Sequence, residues 1–236
     1  MFNDISKKIV DIQKELNEVT KNRVINNKPI NYKVALMVET TEFIDSLNWK
    51  WWKDSEDDIL NAKIELVDML HFLISVSLEE IGYENTIFLL SLYFKNMRQR
   101  DKIELDVSKR NENLFLSYEY FTKKLMYNNI PKTWKEFENL SNFIFHKDNY
   151  QEIYKIYMIK NALNNVRQLH KDNYIKYWNG VNEDNRFVLD KFIRVDLSKI
   201  TFKELIDMID TYYLETVSKF NKTKKDLEEV VNNVLK

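Results

Sequence analysis

The sequence predicts an all-α protein, and three observations support that class. The chain has 236 residues, of which 44% are hydrophobic and 14% aromatic, enough for a sizeable core and too apolar for a disordered chain. Only two glycines and two prolines are present, so the tight turns that sheets need are scarce. Apolar side chains recur with the helical period along most of the chain.

The periodic segments predict helices in order over residues 3–22, 32–48, 57–81, 84–100, 110–127, 133–146, 149–170 and 201–221, with a charged amphipathic tail to 236. Capping-box spacing, in which a hydroxyl and a carboxylate satisfy free amides of the first turn, marks starts at Thr133 with Glu136, Thr201 with Glu204, and Ser55 with Asp58. Loop signals lie at residues 26–29, 128–131 and 179–180.

No repeat or low-complexity linker forces a domain boundary. We therefore expect a single all-α catalytic domain over residues 1–236. The stretch at about 101–150 is the least constrained and leaves room for a small helical lobe.

Charge and cysteine content exclude several classes of protein. The net charge of −1 gives no overall basic field, so stable nucleic-acid binding is not expected. The absence of cysteine excludes disulfides and thiolate zinc sites. With no signal-like amino terminus and no run of about 18 apolar residues, we expect a cytoplasmic protein and no membrane association.

Two acidic pairs lie on predicted helices with apolar surroundings. Glu39 and Glu42 are three residues apart, as are Glu65 and Asp68 on the next helix. A single pair of this kind is usually solvated. Because both pairs face apolar side chains and lack a lysine or arginine four residues away, we expect all four carboxylates to converge in the core around a divalent metal.

The expected metal is Mg²⁺, with Mn²⁺ as a substitute, since the ligands are hard oxygen atoms. Mg²⁺ held by carboxylates completes its coordination with water and substrate phosphates, which indicates a nucleotide or another phosphate ester as ligand. A di-iron site is the competing reading, because Asp68 and His71 have carboxylate–histidine spacing. That site requires two such motifs, and neither His146 nor His170 supplies the second.

A basic helix face could bind those phosphates. Lys160, Asn164 and Arg167 follow at i, i+4 and i+7, and Lys176 lies in the segment after them. A solvated basic stripe is an equally good reading of this helix alone. The aromatic, polar stretch that follows, from Tyr174 to Asn185, is more typical of a closing lid than of a linker.

Aromatic and amide side chains complete the set. Trp49, Trp51 and Trp52 alternate with lysines, a pattern compatible with single-strand stacking, core packing or one flat wall for a base. Gln13 and Asn17, at i and i+4, could read the edge of a base or be ordinary surface residues.

These motifs follow one another along the chain. They are Gln13 with Asn17, E-x-x-E at 39–42, W-K-W-W-K at 49–53, E-x-x-D at 65–68 followed by M-L-H-F at 69–72, K-N-x-L-N-x-x-R at 160–167, and Y-x-K-x-W-N-G-x-x-E-D-N at 174–185. Together, over residues 10–188, they resemble the dimeric all-α dUTPases of the all-α NTP pyrophosphatase superfamily. The resemblance implies a helical bundle around a four-carboxylate site. It also implies a homodimer.

By that resemblance, dUTP and also dUDP are hydrolysed to dUMP, with release of pyrophosphate or phosphate, by water that Mg²⁺ activates. Glu39, Glu42, Glu65 and Asp68 bind the metal, with Glu39 as the catalytic base. The implied substrate-binding residues are Gln13, Asn17, Trp49, His71 and Phe72 for uracil and deoxyribose, and Lys160, Asn164, Arg167, Tyr174, Lys176 and Asn185 for phosphates and sugar. The alternatives are a related pyrophosphatase with another base specificity and a helical regulatory protein on the same scaffold.

Overall fold

The computed structural model describes residues 1–22, 28–99, 110–145, 150–171, 174–175 and 184–234. Over these residues the chain forms nine α-helices and no strand, so the all-α prediction is confirmed. The helices are α1 (Phe2–Lys21), α2 (Tyr32–Asp45), α3 (Ile59–Glu80), α4 (Tyr83–Gln99), α5 (Arg110–Met126), α6 (Ile130–Ser141), α7 (Tyr150–Leu169), α8 (Asp184–Phe192) and α9 (Phe202–Val234). In these ranges no helix combines the length and apolar character needed to cross a membrane.

The chain divides into a first unit, Met1–Tyr157, and a second unit, Met158–Lys236. In the first unit α3 is the central helix: it packs against α1, α2, α4 and α6, while α5 packs on α6 and α1 on α4. Leu66, Leu70 and Leu73 of α3 are fully buried. Burying each such side chain contributes about 1.5–3 kcal/mol, which explains why the most apolar helix lies at the centre.

Local sequence explains where several helices begin. Asn31 caps α2 by accepting a hydrogen bond from the Val34 amide at 3.0 Å. At α9 the predicted capping box is confirmed, because the Thr201 amide donates to Glu204 at 2.7 Å and the Glu204 amide donates to the Thr201 hydroxyl at 3.2 Å. At α3 the cap is Asp58 alone, which accepts from the Asn61 amide.

The predicted helices differ from the observed ones at α6, α8 and α9. Helix α6 begins at Ile130 because Asn129 caps it and Pro131 fits its first turn, so Thr133 lies inside the helix. Helix α8 is not among the predicted helices. Helix α9 continues to Val234 instead of ending near residue 221. The single catalytic domain and the lobe at 101–150 remain predictions.

Candidate active site

Three acidic side chains from two helices meet in the first unit. Glu39 and Glu42 lie one turn apart on α2, and Glu65 lies on α3, which packs directly against α2. One oxygen from each of these three carboxylates lies within 4.8 Å of the others. Like charges at this distance repel each other unless a cation lies between them. The arrangement therefore fits a hard divalent cation.

The cluster lies at the surface of the first unit, which corrects the expectation of a deeply buried site. Glu65 is buried, Glu39 is half-buried and Glu42 is exposed. Val38, one turn before Glu42, is 47% exposed because that side of α2 faces solvent. A small ligand can therefore reach the carboxylates without any rearrangement of the core.

Asp68 does not join this group. Among the residues that the structure describes, Glu39, Glu42 and Glu65 are the one group of three or more acidic or histidine side chains whose ligand atoms all lie within 4.8 Å of one another. Asp68 is half-buried and lies three residues after Glu65, about 60° around the helix and nearly one turn further along it. Its place in the metal site remains a prediction.

An open pocket of about 370 Å³ borders the cluster. It is lined by Glu42 and Asp45 of α2, by Asn61 and Glu65 of α3, and by Ser46, Leu47, Lys50, Lys53, Ser55, Glu56 and Asp58 of the segment between these helices. Hydrogen bonds hold this segment in place: the Asn48 amide donates to Asp57 at 2.7 Å, and Asn61 Nδ2 donates to Ser46 Oγ at 2.8 Å. Lys50 forms an ion pair with Asp45. The pocket thus combines acids with two lysines in a space large enough for a phosphate chain.

The three tryptophans do not form the flat wall that the sequence allowed. Trp49 meets Trp52 and Phe115 edge to face, with ring centroids 5.5 and 5.7 Å apart, and Trp51 meets Trp52 in the same way. Trp49 is half-buried, whereas Trp51 is 88% exposed. Of the three, Trp49 is the indole that packs against the helices, through Phe115 of α5.

A buried hydrogen-bond network joins residues far apart in the sequence. The Gln13 Oε1 atom is 2.7 Å from His71 Nδ1 and also accepts a hydrogen bond from the Tyr157 hydroxyl at 2.7 Å. Gln13 Nε2 donates to Asn17 Oδ1 at 2.9 Å and to Ser75 Oγ at 3.2 Å. The amide of Gln13 thereby makes two acceptor and two donor contacts within the protein, which is its full capacity. Since Oε1 only accepts, His71 carries its proton on Nδ1.

The side chain of Asn17 is held in one orientation. Its Oδ1 accepts from Gln13 Nε2 at 2.9 Å and lies 3.1 Å from Ser75 Oγ, which is also 2.9 Å from another acceptor for its single proton, the His71 carbonyl oxygen. Because Gln13 Nε2 can only donate, the Asn17 atom that faces it is the acceptor Oδ1, and Nδ2 is presented as a donor. Among the described residues Nδ2 has no acceptor.

Phe72, the neighbour of His71, packs against a second aromatic ring. It is half-buried, and its ring centroid is 6.5 Å from that of the buried Tyr32. Burial, with smaller effects from the charges of Glu79 and Glu18, raises the pKa of Tyr32 to about 12. The Tyr32 hydroxyl is therefore neutral at physiological pH, and the Phe72 ring has a neutral aromatic neighbour.

In the second unit the predicted phosphate-binding residues surround a carboxylate that the sequence analysis did not assign. Asp184 is fully buried and accepts two hydrogen bonds from Arg167, from Nε at 2.9 Å and from Nη2 at 2.7 Å. The Tyr174 hydroxyl donates to the same carboxylate at 2.6 Å. Arg167 also donates from Nη1 to Asn164 at 2.9 Å.

Asn185 bridges the two cations of this set. Its Oδ1 accepts from Lys160 Nζ at 2.6 Å and from Arg167 Nη2 at 2.7 Å. Lys160 is 2% exposed, so its charge is held inside the protein by polar partners. The remaining predicted member, Lys176, lies outside the described residues.

Opposing effects set the ionisation of Asp184. Burial by itself raises its pKa, but the hydrogen bonds and charge of Arg167, together with Tyr174 and Lys160, outweigh burial and hold the pKa below its usual range. Burial and the negative charge of Asp184 raise the pKa of Tyr174. Asp184 is therefore an anion and Tyr174 a neutral hydrogen-bond donor at physiological pH.

Comparison with known proteins agrees with this geometry. A family model described as dUTPase matches residues 5–174. The chain belongs to the dUTPase family. No curated protein matches the chain. The match covers the carboxylate cluster, the Gln13 network and the basic set as far as Tyr174, so the prediction of an all-α dUTPase is confirmed.

Sequence reasoning missed three side chains of this dUTPase that hold predicted site residues: Ser75, Tyr157 and Asp184. Nothing in their local sequence distinguishes Ser75 or Tyr157. Asp184, however, stands in the W-N-G-x-x-E-D-N motif, and the buried Lys160 and half-buried Arg167 nearby require an anion. That charge balance is the signal from which Asp184 could have been found.

Proposed function

We propose that this dUTPase hydrolyses dUTP to dUMP and pyrophosphate, and dUDP to dUMP and phosphate, with Mg²⁺ bound by Glu39, Glu42, Glu65 and Asp68. Hydrolysis of dUTP follows from the family to which the chain belongs. The metal dependence is supported by one observation above all, the three carboxylates within 4.8 Å of one another, of which Glu42 and Glu65 line an open pocket. Asp68 is included through the E-x-x-D motif.

The chemistry of the donors fits this metal. The clustered groups offer only hard carboxylate oxygens, which suit Mg²⁺ and also Mn²⁺. When bound, Mg²⁺ would supply the positive charge that makes water nucleophilic near neutral pH and offsets negative charge on phosphate oxygens. Glu39 takes the proton from the attacking water in this proposal, since its half-buried carboxylate is accessible to water.

The uracil and deoxyribose are assigned to the Gln13 network and its aromatic neighbours. Because the amide of Gln13 is used within the protein, Gln13 orients His71 and Asn17, and Asn17 Nδ2 is the donor that meets the base. Phe72 and Trp49 provide apolar ring surface for the nucleoside.

The phosphates and sugar are assigned to the basic set of the second unit. Arg167 can present a fixed guanidinium edge to phosphate oxygens, while Lys160 acts as a point charge. The other members in this proposal are Asn164, Tyr174, Lys176 and Asn185.

A substrate panel tests the proposed function. Purified enzyme is expected to release pyrophosphate from dUTP at least about a hundredfold faster than from dTTP or dCTP, and only with Mg²⁺ or Mn²⁺ present. Excess chelator serves as the control and should abolish release. Faster hydrolysis of dCTP or another nucleotide would replace the proposal with a related pyrophosphatase, and activity without divalent metal would overturn the metal assignment.

We also propose that the enzyme is a homodimer whose contact includes an apolar face of α2. Val34, Met37 and Val38 lie at i, i+3 and i+4 and are all exposed. Burying such a face against a second copy is favourable by about 25 cal/mol per Å². Val38→Lys is expected to shift the sedimentation coefficient from dimer to monomer, with Lys33→Ala at a half-buried position of the same helix as control. A variant that stays dimeric would place the contact elsewhere.

A cytoplasmic location is proposed as well, because the substrate is a free nucleotide. Fractionation of cells that make the protein tests this location. Recovery of the activity outside the cytoplasmic fraction would contradict it.

A further inference from the structure

Asp184 fixes the orientation of Arg167. The carboxylate accepts hydrogen bonds from Nε at 2.9 Å and from Nη2 at 2.7 Å. On the other side of the guanidinium, Nη1 donates to Asn164. A planar guanidinium held from two sides cannot rotate about its long axis. The buried carboxylate thus determines where the remaining guanidinium surface points.

The first turn of α8 contacts both cations at once. Asp184 and Asn185 are its first two residues, and they bind Arg167 and, through Asn185 Oδ1, also Lys160. The family match covers residues 5–174, so Asp184 and Asn185 both lie beyond its end.

Helix α9 holds the segment that carries Tyr174. The ring of Tyr213 stacks on Tyr174 with centroids 4.8 Å apart and planes 15° apart, and its hydroxyl accepts a hydrogen bond from the Ile175 amide at 3.0 Å. Tyr213 also contacts the ring of His170 at 4.8 Å, and His170 Nε2 is 2.5 Å from Asp210 Oδ1. One turn of α9 therefore contacts both ends of the segment from residue 170 to 175.

These contacts form a continuous path. Tyr213 holds Tyr174, the Tyr174 hydroxyl donates to Asp184, and Asp184 holds Arg167. Tyr213 is 2% exposed and Asp184 is fully buried, so neither offers a surface to a ligand itself. Their action is on other side chains.

We propose that Asp184 and Tyr213 are positioning residues that hold Arg167 and Tyr174 in place for the substrate phosphates. The proposal rests on the phosphate-binding role given to Arg167 under the proposed function. It extends the functional part of the chain past the family match, into α8 and α9.

The test separates the phosphate end of the substrate from the nucleoside end. Asp184→Asn and Tyr213→Phe are compared with the wild type in two kinds of measurement. The first is kcat and KM with dUTP. The second is the affinity for two ligands, a non-hydrolysable imido analogue of dUTP and deoxyuridine itself. Asp184→Asn should weaken binding of the imido analogue about tenfold or more, and Tyr213→Phe about threefold or more, since each loses a hydrogen bond that orients a binding group. Deoxyuridine affinity should stay within about twofold, because it has no phosphate.

Matched variants control for general damage. Asp190→Asn makes the same change at an exposed position of α8, and Tyr212→Phe removes a hydroxyl from the adjacent residue of α9. Both should leave the affinity of the imido analogue unchanged. Should Asp184→Asn fail to fold, Tyr213→Phe decides the question, since its ring remains to stack on Tyr174.

Two further outcomes distinguish this inference from the proposed function. Arg167→Ala alone should weaken binding of the imido analogue, and adding Asp184→Asn to it should have little further effect, because Asp184 acts through Arg167. If Arg167→Ala leaves that affinity unchanged, the phosphate role and this inference both fail. If Arg167→Ala weakens it while Asp184→Asn and Tyr213→Phe do not, only this inference fails. Tighter binding by Asp184→Asn would also overturn it, since the carboxylate would then compete with phosphate.

Discussion

Glutamine in place of Glu65 is expected to lower dUTP turnover by about two to three orders of magnitude while the helices stay folded. Glu65 is the most buried of the three clustered carboxylates, with 7% of its surface exposed. The amide keeps the shape of the side chain but removes an anionic metal ligand. Steady-state release of pyrophosphate at saturating Mg²⁺ measures the loss, and circular dichroism measures helix content.

Thermal melting gives Glu65→Gln a second readout. At Mg²⁺ concentrations about 100 times Kd, binding stabilises the wild type by about 2.7 kcal/mol, or roughly 5–10 °C in Tm. Glu65→Gln should lose most of that shift, and it should also melt higher than the wild type without metal, because one of three mutually repelling charges is gone.

The matched control for this experiment is Glu138→Gln. Glu138 is also buried, at 4% exposed, but lies on α6 and bonds to Asn96 and Lys135. Its variant should keep wild-type turnover and the full Mg²⁺ shift. Normal turnover by Glu65→Gln, or a wild-type Tm that does not respond to Mg²⁺, would remove the metal site from the mechanism.

Periodicity predicted most helices because their apolar stripes are long. The predictions failed where two local signals for a helix start compete, or where tertiary contacts rather than local sequence stabilise the helix. At α6 the sequence offers two starts, and Asn129 with Pro131 in the first turn prevails over the capping box at Thr133. Helix α8 has only nine residues, and burial of Val188, Leu189 and Phe192 stabilises it, which no local pattern reveals.

Residue spacing predicts direction around a helix but not depth in the protein. The spacing of Glu39 and Glu42 places them on one side of α2, yet it does not say whether that side faces the core. Glu42 is exposed for this reason, contrary to expectation. Contacts across long sequence separations, such as Gln13 with Tyr157, depend on the packed fold and leave no signal in either segment.

Aspartate in place of Asn17 is expected to reverse the preference for uracil over cytosine. Gln13 Nε2 fixes Asn17 Oδ1 as the acceptor, so Nδ2 is a donor that can meet the uracil carbonyl oxygen at position 4. Cytosine has an amino group there and would oppose that donor. In the variant a carboxylate oxygen replaces Nδ2, repels the uracil carbonyl and accepts from the cytosine amino group.

The size of the effect follows from the cost of an unpaired polar group in a desolvated site. The kcat/KM for dUTP should fall about a hundredfold or more, and the ratio of dUTP to dCTP should fall by about a thousandfold or more. Parallel measurement of kcat/KM for both nucleotides tests this directly. The remaining oxygen still accepts from Gln13 Nε2, so the variant should stay folded.

The same substitution at an exposed position of the same helix, Asn3→Asp, is the matched control and should leave both rates unchanged. An equal loss of both activities in Asn17→Asp, together with a lower Tm, would show that Asn17 only maintains the buried network. An unaltered ratio of dUTP to dCTP in a folded variant would show that another group reads the base. Reversal of the ratio instead requires that Asn17 Nδ2 faces position 4, because there the amide nitrogen donates a hydrogen bond whereas a negatively charged carboxylate oxygen only accepts one.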